Sequence, residues 1–72
     1  MPLVRIDLVG GRPPELLRSL IDNIHNTVVD TLDVPQESVT VIVDEHPAEL
    51  WATAGVTKAE QRAAAQNRRQ PH

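Results

Sequence analysis

A proline follows the initiator methionine directly, as Met1-Pro2. Where methionine is trimmed before small residues, Pro2 becomes the free N-terminus and its nitrogen a secondary amine. An ordinary α-amino group has a pKa of about 7.7 to 8.0, and burial near cations disfavours its charged form and draws that value toward neutral. Such a nitrogen is a general base or a nucleophile at neutral pH. The other candidates are weaker. His25, His46 and His72 show no metal-ligand spacing and read as solvated. With cysteine absent, neither a disulfide nor a metal site is expected. Asp44, Glu45 and Glu49 are possible second acid–base groups of the kind that activate water, but by sequence they are ordinary surface carboxylates.

The elements that must position Pro2 follow from hydrophobic periodicity. Leu3 to Val9, LVRIDLV, alternates, with Val4, Ile6 and Leu8 on one face and Arg5 and Asp7 on the other, which is the period of a strand. Gly10 and Gly11 end it. Pro13-Pro14 fixes φ for the first turn of a helix, and Glu15 suits the positive end of the helix dipole. Leu16, Leu17, Leu20, Ile21, Ile24, Val28 and Leu32 then recur at three- and four-residue steps, predicting an amphipathic helix that Asp33-Val34-Pro35 terminates. Val39 to Val43 is a β-branched run that reads as a buried second strand.

Strand, helix and strand over this length predict a β-α-β unit with two parallel strands, an α/β (α+β) fold with short C-terminal elements. Ala48 to Ala52 reads as a single helical turn before Gly55, and Thr57-Lys58-Ala59-Glu60 has the T-x-x-E pattern of a capping box opening an alanine-rich helix. The 72 residues form one domain, with residues 1–65 as its core and residues 66–72 as a frayed tail.

A domain of this size has a thin core, and without disulfides or a metal it is expected to gain stability by oligomerisation. One helix covers one face of a two-stranded sheet, so the other face is expected to pack on another copy of the chain. The net charge of −3, with only Arg68 and Arg69 adjacent as a basic pair, argues against nucleic acid or an anionic membrane as partner. No apolar run approaches the roughly 20 residues of a membrane span, and the N-terminus has no secretory pattern, so a cytoplasmic protein is expected.

The stretch from Met1 through Arg12, MPLVRIDLVGGR, resembles the opening of 4-oxalocrotonate tautomerase and its relatives in the tautomerase superfamily. The likeness continues through the helix, Leu32-Asp33-Val34-Pro35, Ser38-Val39 and the second strand, covering roughly the first 45 residues. It implies an enzyme in which the N-terminal proline moves a proton between carbons of an unsaturated keto acid while arginines hold the substrate carboxylate and the developing enolate oxygen. Abstraction of a proton beside a carbonyl leaves negative charge on oxygen, so fixed cationic donors lower the barrier, and a guanidinium grips a carboxylate in two-pronged fashion.

By this resemblance Pro2 is the catalytic base, Arg12 the carboxylate or oxyanion partner, and Trp51 the apolar wall beside the proline. A strand from Leu3 to Val9 spans about 23 Å at roughly 3.3 Å per residue, so Arg12 cannot easily reach Pro2 of its own chain. A neighbouring subunit must supply it, in keeping with the dimers, hexamers and some heterohexamers that the resemblance implies. Thr40 departs from the pattern, standing where the family carries a second arginine. A dicarboxylate held by two arginines becomes doubtful, and a monoacid substrate or another reaction of the superfamily more plausible. Arg5 is a weaker substitute for that arginine. The expected activity is enol–keto tautomerisation of a small unsaturated 2-keto or 2-hydroxy acid, without a cofactor. The alternatives are hydration or dehalogenation of such an acid, and a non-catalytic subunit of a heteromeric assembly.

Overall fold

The computed structural model describes the backbone of residues 2–69 and the side chains of residues 2–66. The alternating segment forms β1, Leu3–Val9, as its periodicity requires. Gly10 closes the strand end through its N–H, which donates to the His46 carbonyl at 2.8 Å, and Gly11 follows with φ 120, a value that favours glycine. Helix α1, Pro14–Leu32, has Pro13 as its extended N-cap and ends at Asp33, whose φ of 54 turns the chain out of the helix. A short 3₁₀ turn, Gln36–Ser38, leads into β2, Thr40–His46.

β1 and β2 are parallel, with Leu3 opposite Thr40, Arg5 opposite Ile42 and Val9 opposite His46. β2 begins one residue later than its β-branched run and continues three residues beyond Val43. Asp44, Glu45 and His46 stay extended because each finds a backbone partner in Asp7, Leu8 and Val9. Two of their side chains also find partners on β1. Asp44 Oδ2 accepts from Arg5 Nε at 3.2 Å, and Asp7 Oδ1 accepts from His46 Nε2 at 2.8 Å. The chain therefore leaves the strand only at Pro47.

After a second 3₁₀ turn, Ala48–Leu50, two short strands, β3 (Ala52–Thr53) and β4 (Val56–Thr57), form an antiparallel hairpin absent from the sequence reading. Its loop is Ala54-Gly55, both residues at positive φ, as a tight two-residue hairpin turn requires. Helix α2, Lys58–Arg69, follows at once and carries the predicted capping box in full. Thr57 N–H donates to Glu60 Oε1 at 2.9 Å, and Glu60 N–H to Thr57 Oγ1 at 3.1 Å. The helix extends through residues 67–69 of the segment expected to fray, and Gln70 to His72 lie outside the described residues.

α1 covers the sheet face carrying Val41, with Ile21, His25, Val39 and Val41 lining a common recess. Val4, Ile6 and Leu8 lie on the same face and are half-buried. The opposite face carries the Arg5–Asp44 and Asp7–His46 pairs together with exposed Leu3 and Ile42, so it is less apolar than expected of a surface that must pack. Val9, 8% exposed, is the one buried hydrophobic residue among the described residues, and none of them has a fully buried side chain. The Cα radius of gyration is 16.9 Å, against about 11 Å for a compact domain of this length. A single chain this extended buries little apolar surface, which is the physical ground for expecting partners.

Candidate active site

The four residues singled out in sequence fall into two groups, at opposite ends of β1. Pro2 and Thr40 form the first. Thr40 N–H donates to the Pro2 carbonyl at 3.0 Å, continuing the parallel ladder by one rung and fixing Pro2 at the mouth of the sheet. Pro2 is half-buried and the Thr40 side chain exposed.

Arg12 and Trp51 form the second group, some seven residues of strand away. Both line a cleft of about 390 Å³ together with Asp7, Leu8, Val9, Lys58 and Arg62. Arg12 Nη1 donates to the Val9 carbonyl at 2.9 Å, which engages one of the guanidinium's five N–H donors and pins the side chain to the glycine turn. Trp51 is half-buried and is held from both sides. Its carbonyl accepts the Lys58 N–H at 2.7 Å, and its ring lies against His46, with centroids 5.6 Å apart at 58°. His46 is in turn fixed by Asp7, so a chain of contacts from β1 through β2 orients the tryptophan. His46, its side chain 43% exposed, is thus solvated as expected and also paired with Asp7. His25 is likewise engaged, through Nε2 at 3.1 Å from the Gln36 carbonyl, while His72 lies outside the described residues.

Lys58 and Arg62 are the cleft residues that sequence reasoning missed. Their signal was present: the capping box sets the start of α2, and a lysine in its first turn with an arginine four residues on must share a helix face. Arg62 Nη2 also reaches the Gly10 carbonyl, at 3.4 Å, so α2 is tied to the same turn that anchors Arg12.

Arg5 and Asp44 are bound to each other on the open sheet face, 65% and 40% exposed. That pairing occupies both the weaker candidate for a substrate arginine and one candidate for a water-activating carboxylate. Glu60 is the one described group whose acidity is clearly altered. Accepting the Thr57 N–H, and to a lesser degree bonding the Thr57 hydroxyl, holds its carboxyl below the usual carboxylate range. Among the described residues no group of three or more His, Cys, Asp or Glu is placed to hold a metal ion, and no helix is long and apolar enough to cross a membrane.

The arrangement offers Pro2 at one sheet end and, at the other, cationic donors beside an aromatic wall. Each half lacks what the other has.

Comparison with known proteins gives the context for this division. The family described as "Tautomerase enzyme" matches residues 2–61. A protein named probable tautomerase from Ralstonia nicotianae is 44% identical over 59 residues, which cover 82% of this chain and 84% of that protein. Among solved structures, a 4-oxalocrotonate tautomerase homologue of the tomaymycin biosynthetic pathway superposes with a TM-score of 0.82 at 40% identity, covering 86% of this chain and 95% of the other. A chain of the heterohexameric 4-oxalocrotonate tautomerase from Chloroflexus aurantiacus superposes with a TM-score of 0.79 at 32% identity, covering 83% and 97%.

Proposed function

Since this chain belongs to the tautomerase family, we propose that it catalyses enol–keto proton transfer on a small unsaturated 2-keto or 2-hydroxy acid, with Pro2 as general base once Met1 is removed. The Pro2 nitrogen takes the proton of the enol hydroxyl, the electron pair moves through the conjugated system, and the protonated amine returns a proton to carbon. Arg12 faces the charge that develops on oxygen, where a fixed cationic donor in a site with little water acts most strongly. Trp51 supplies the apolar wall that disfavours a charged amine and lowers its pKa.

One observation carries this reading: Pro2 with Thr40, and Arg12 with Trp51, sit at opposite ends of one strand. No single chain can close a site from both, so the Pro2 end of one subunit meets the Arg12 cleft of another. A symmetric oligomer, a dimer or hexamer of such chains, generates every site in the same way. A second reading keeps the assembly but not the activity. Thr40 places an uncharged hydroxyl beside Pro2, and the Chloroflexus relative is a heterohexamer, so this chain could instead contribute its Arg12 cleft to a second, proline-bearing chain.

The test is ketonisation of 2-hydroxymuconate and of phenylenolpyruvate, followed by ultraviolet absorbance on protein whose intact mass shows Met1 to be absent, with Pro2→Ala alongside. The proposal expects activity on at least one enol and a loss of about 10²- to 10⁴-fold in the variant, the usual weight of a general base. A processed protein inert toward both enols favours the heteromeric reading.

A further inference from the structure

His46 is the last residue of β2 and is engaged through both backbone and side chain. Its carbonyl accepts the Gly10 N–H at 2.8 Å, its Nε2 donates to Asp7 Oδ1 at 2.8 Å, and its ring centroid lies 5.6 Å from that of Trp51. An ionised carboxylate only accepts, so the shared hydrogen sits on the imidazole nitrogen whether that ring is neutral or charged. Among the described residues that line the Arg12 cleft, Asp7 is the one carboxylate and Trp51 the one aromatic residue. His46 does not line the cleft itself, yet it touches both of these groups. The charged residues around it belong to four elements. Asp7 is on β1, Arg5 and Asp44 pair with each other one step along the same sheet face, Glu49 lies in the following 3₁₀ turn, and Lys58 and Arg62 stand on α2 beside the cleft.

We propose that His46 is a positioning residue that sets the acidity of the Pro2 nitrogen received in this cleft. The inference rests on the reading of Pro2 as a base supplied by another subunit. Two effects act in the same direction. An indole held in place keeps water from the amine and disfavours its charged form. A carboxylate occupied by an imidazole N–H is a poorer partner for an ammonium than a free one. Arg12, Lys58 and Arg62 disfavour a charged amine, and a free Asp7 would oppose them. By holding Trp51 and occupying Asp7, His46 keeps the nitrogen neutral and basic. The pair is half exposed, 43% at His46 and 52% at Asp7, so its direct contribution to stability is small. Its influence lies in where it holds two other side chains.

Two experiments on the processed, assembled protein test this. The first follows protonation of Pro2 directly, by its nitrogen-15 chemical shift in labelled protein, together with the pH profile of kcat/KM for phenylenolpyruvate. Wild type, His46→Ala and His46→Gln are compared. In His46→Ala the Pro2 titration and the acid limb of the profile are expected to move together to higher pH. On that limb kcat/KM then falls about three- to tenfold, while the alkaline plateau stays within about twofold of wild type. His46→Gln keeps an N–H donor for Asp7 and is expected to recover part of the displacement. A purely structural role lowers the plateau and leaves the midpoint in place. That result, an unmoved Pro2 titration, or a glutamine variant displaced as far as the alanine one overturns the proposal. Pro2→Ala reports on the base assignment separately, so the two failures are distinguishable. The second experiment needs no turnover. Trp51 is the chain's one tryptophan, and with no tyrosine present its fluorescence reports on the cleft wall alone. At about pH 8, where an ordinary imidazole is neutral, acrylamide quenching is expected to be about twofold steeper in His46→Ala than in wild type or Pro2→Ala. Equal slopes contradict His46 as the residue that holds the wall.

Discussion

The backbone N–H of Thr40 donates to the carbonyl of Pro2 at 3.0 Å, so the side chain at position 40 is held next to Pro2 whatever its identity. The bond uses no side-chain atom and survives substitution. Thr40→Arg therefore adds a charged donor beside the proline without disturbing the ladder. It is expected to raise kcat/KM on 2-hydroxymuconate about tenfold, the effect of roughly 1.4 kcal/mol of added transition-state stabilisation. Steady-state kinetics on the purified variant checks this.

Arg5 and Asp44 make an exposed pair across the strands. Exposed pairs contribute about 0–1 kcal/mol, and a guanidinium held by a carboxylate is poorly disposed to hold substrate. Arg5→Ala is expected to keep kcat/KM within about threefold of wild type and to lower thermal stability only slightly. A hundredfold loss would make Arg5 the functional replacement for the arginine that Thr40 lacks.

Ala54 adopts φ 55 in the β3–β4 turn, a left-handed conformation that costs an L-residue roughly 1–2 kcal/mol. Asparagine tolerates it better and is favoured at this turn position. Ala54→Asn is expected to stabilise each chain by about 1 kcal/mol, read as a rise in the midpoint of thermal unfolding. The cleft should be unaffected, since the loop lies beyond its lining residues.

Glu60 gives the fold an acid-sensitive element. Its carboxyl titrates below the ordinary range because the Thr57 N–H, and then the Thr57 hydroxyl, favour the ionised form. A folded value below the unfolded one means stability that is fully present above the unfolded value and is lost as pH falls through the folded one. Circular dichroism at 222 nm, followed downward through the carboxylate range near pH 4, is expected to show a loss of helix in wild type that is reduced in Glu60→Gln. Glutamine keeps the capping geometry without the ionisation.

Much of this was legible in the sequence, and the residues show why. β1 and α1 announce themselves because seven and nineteen residues carry an uninterrupted period, and the capping box declares itself through two residues three apart. The β3–β4 hairpin was not legible. Two-residue strands are too short to show alternation, and Ala54-Gly55 is a weaker turn signal than Asn-Gly. The end of β2 was missed because Asp44 and His46 look like loop residues until Arg5 and Asp7 are found opposite them. Of the candidate site, Pro2 stood out from the Met1-Pro2 start itself, while its place in a proton transfer, with Arg12 and Trp51 beside it, came from the likeness to a family. Lys58 and Arg62 became visible only when the capped start of α2 was seen to face the glycine turn.

The central claim is that Pro2 of one chain acts in the Arg12 cleft of another, and complementation tests it most directly. Pro2→Ala and Arg12→Ala, each nearly inactive alone, are unfolded, mixed in equal amounts and refolded together, and ketonisation is measured. With the two residues drawn from different subunits at random, about a quarter of the sites regain both, and the mixture is predicted to recover about a quarter of wild-type activity. Activity that stays at the level of the separate variants, with mixed assemblies confirmed by native mass, would contradict a site shared between chains.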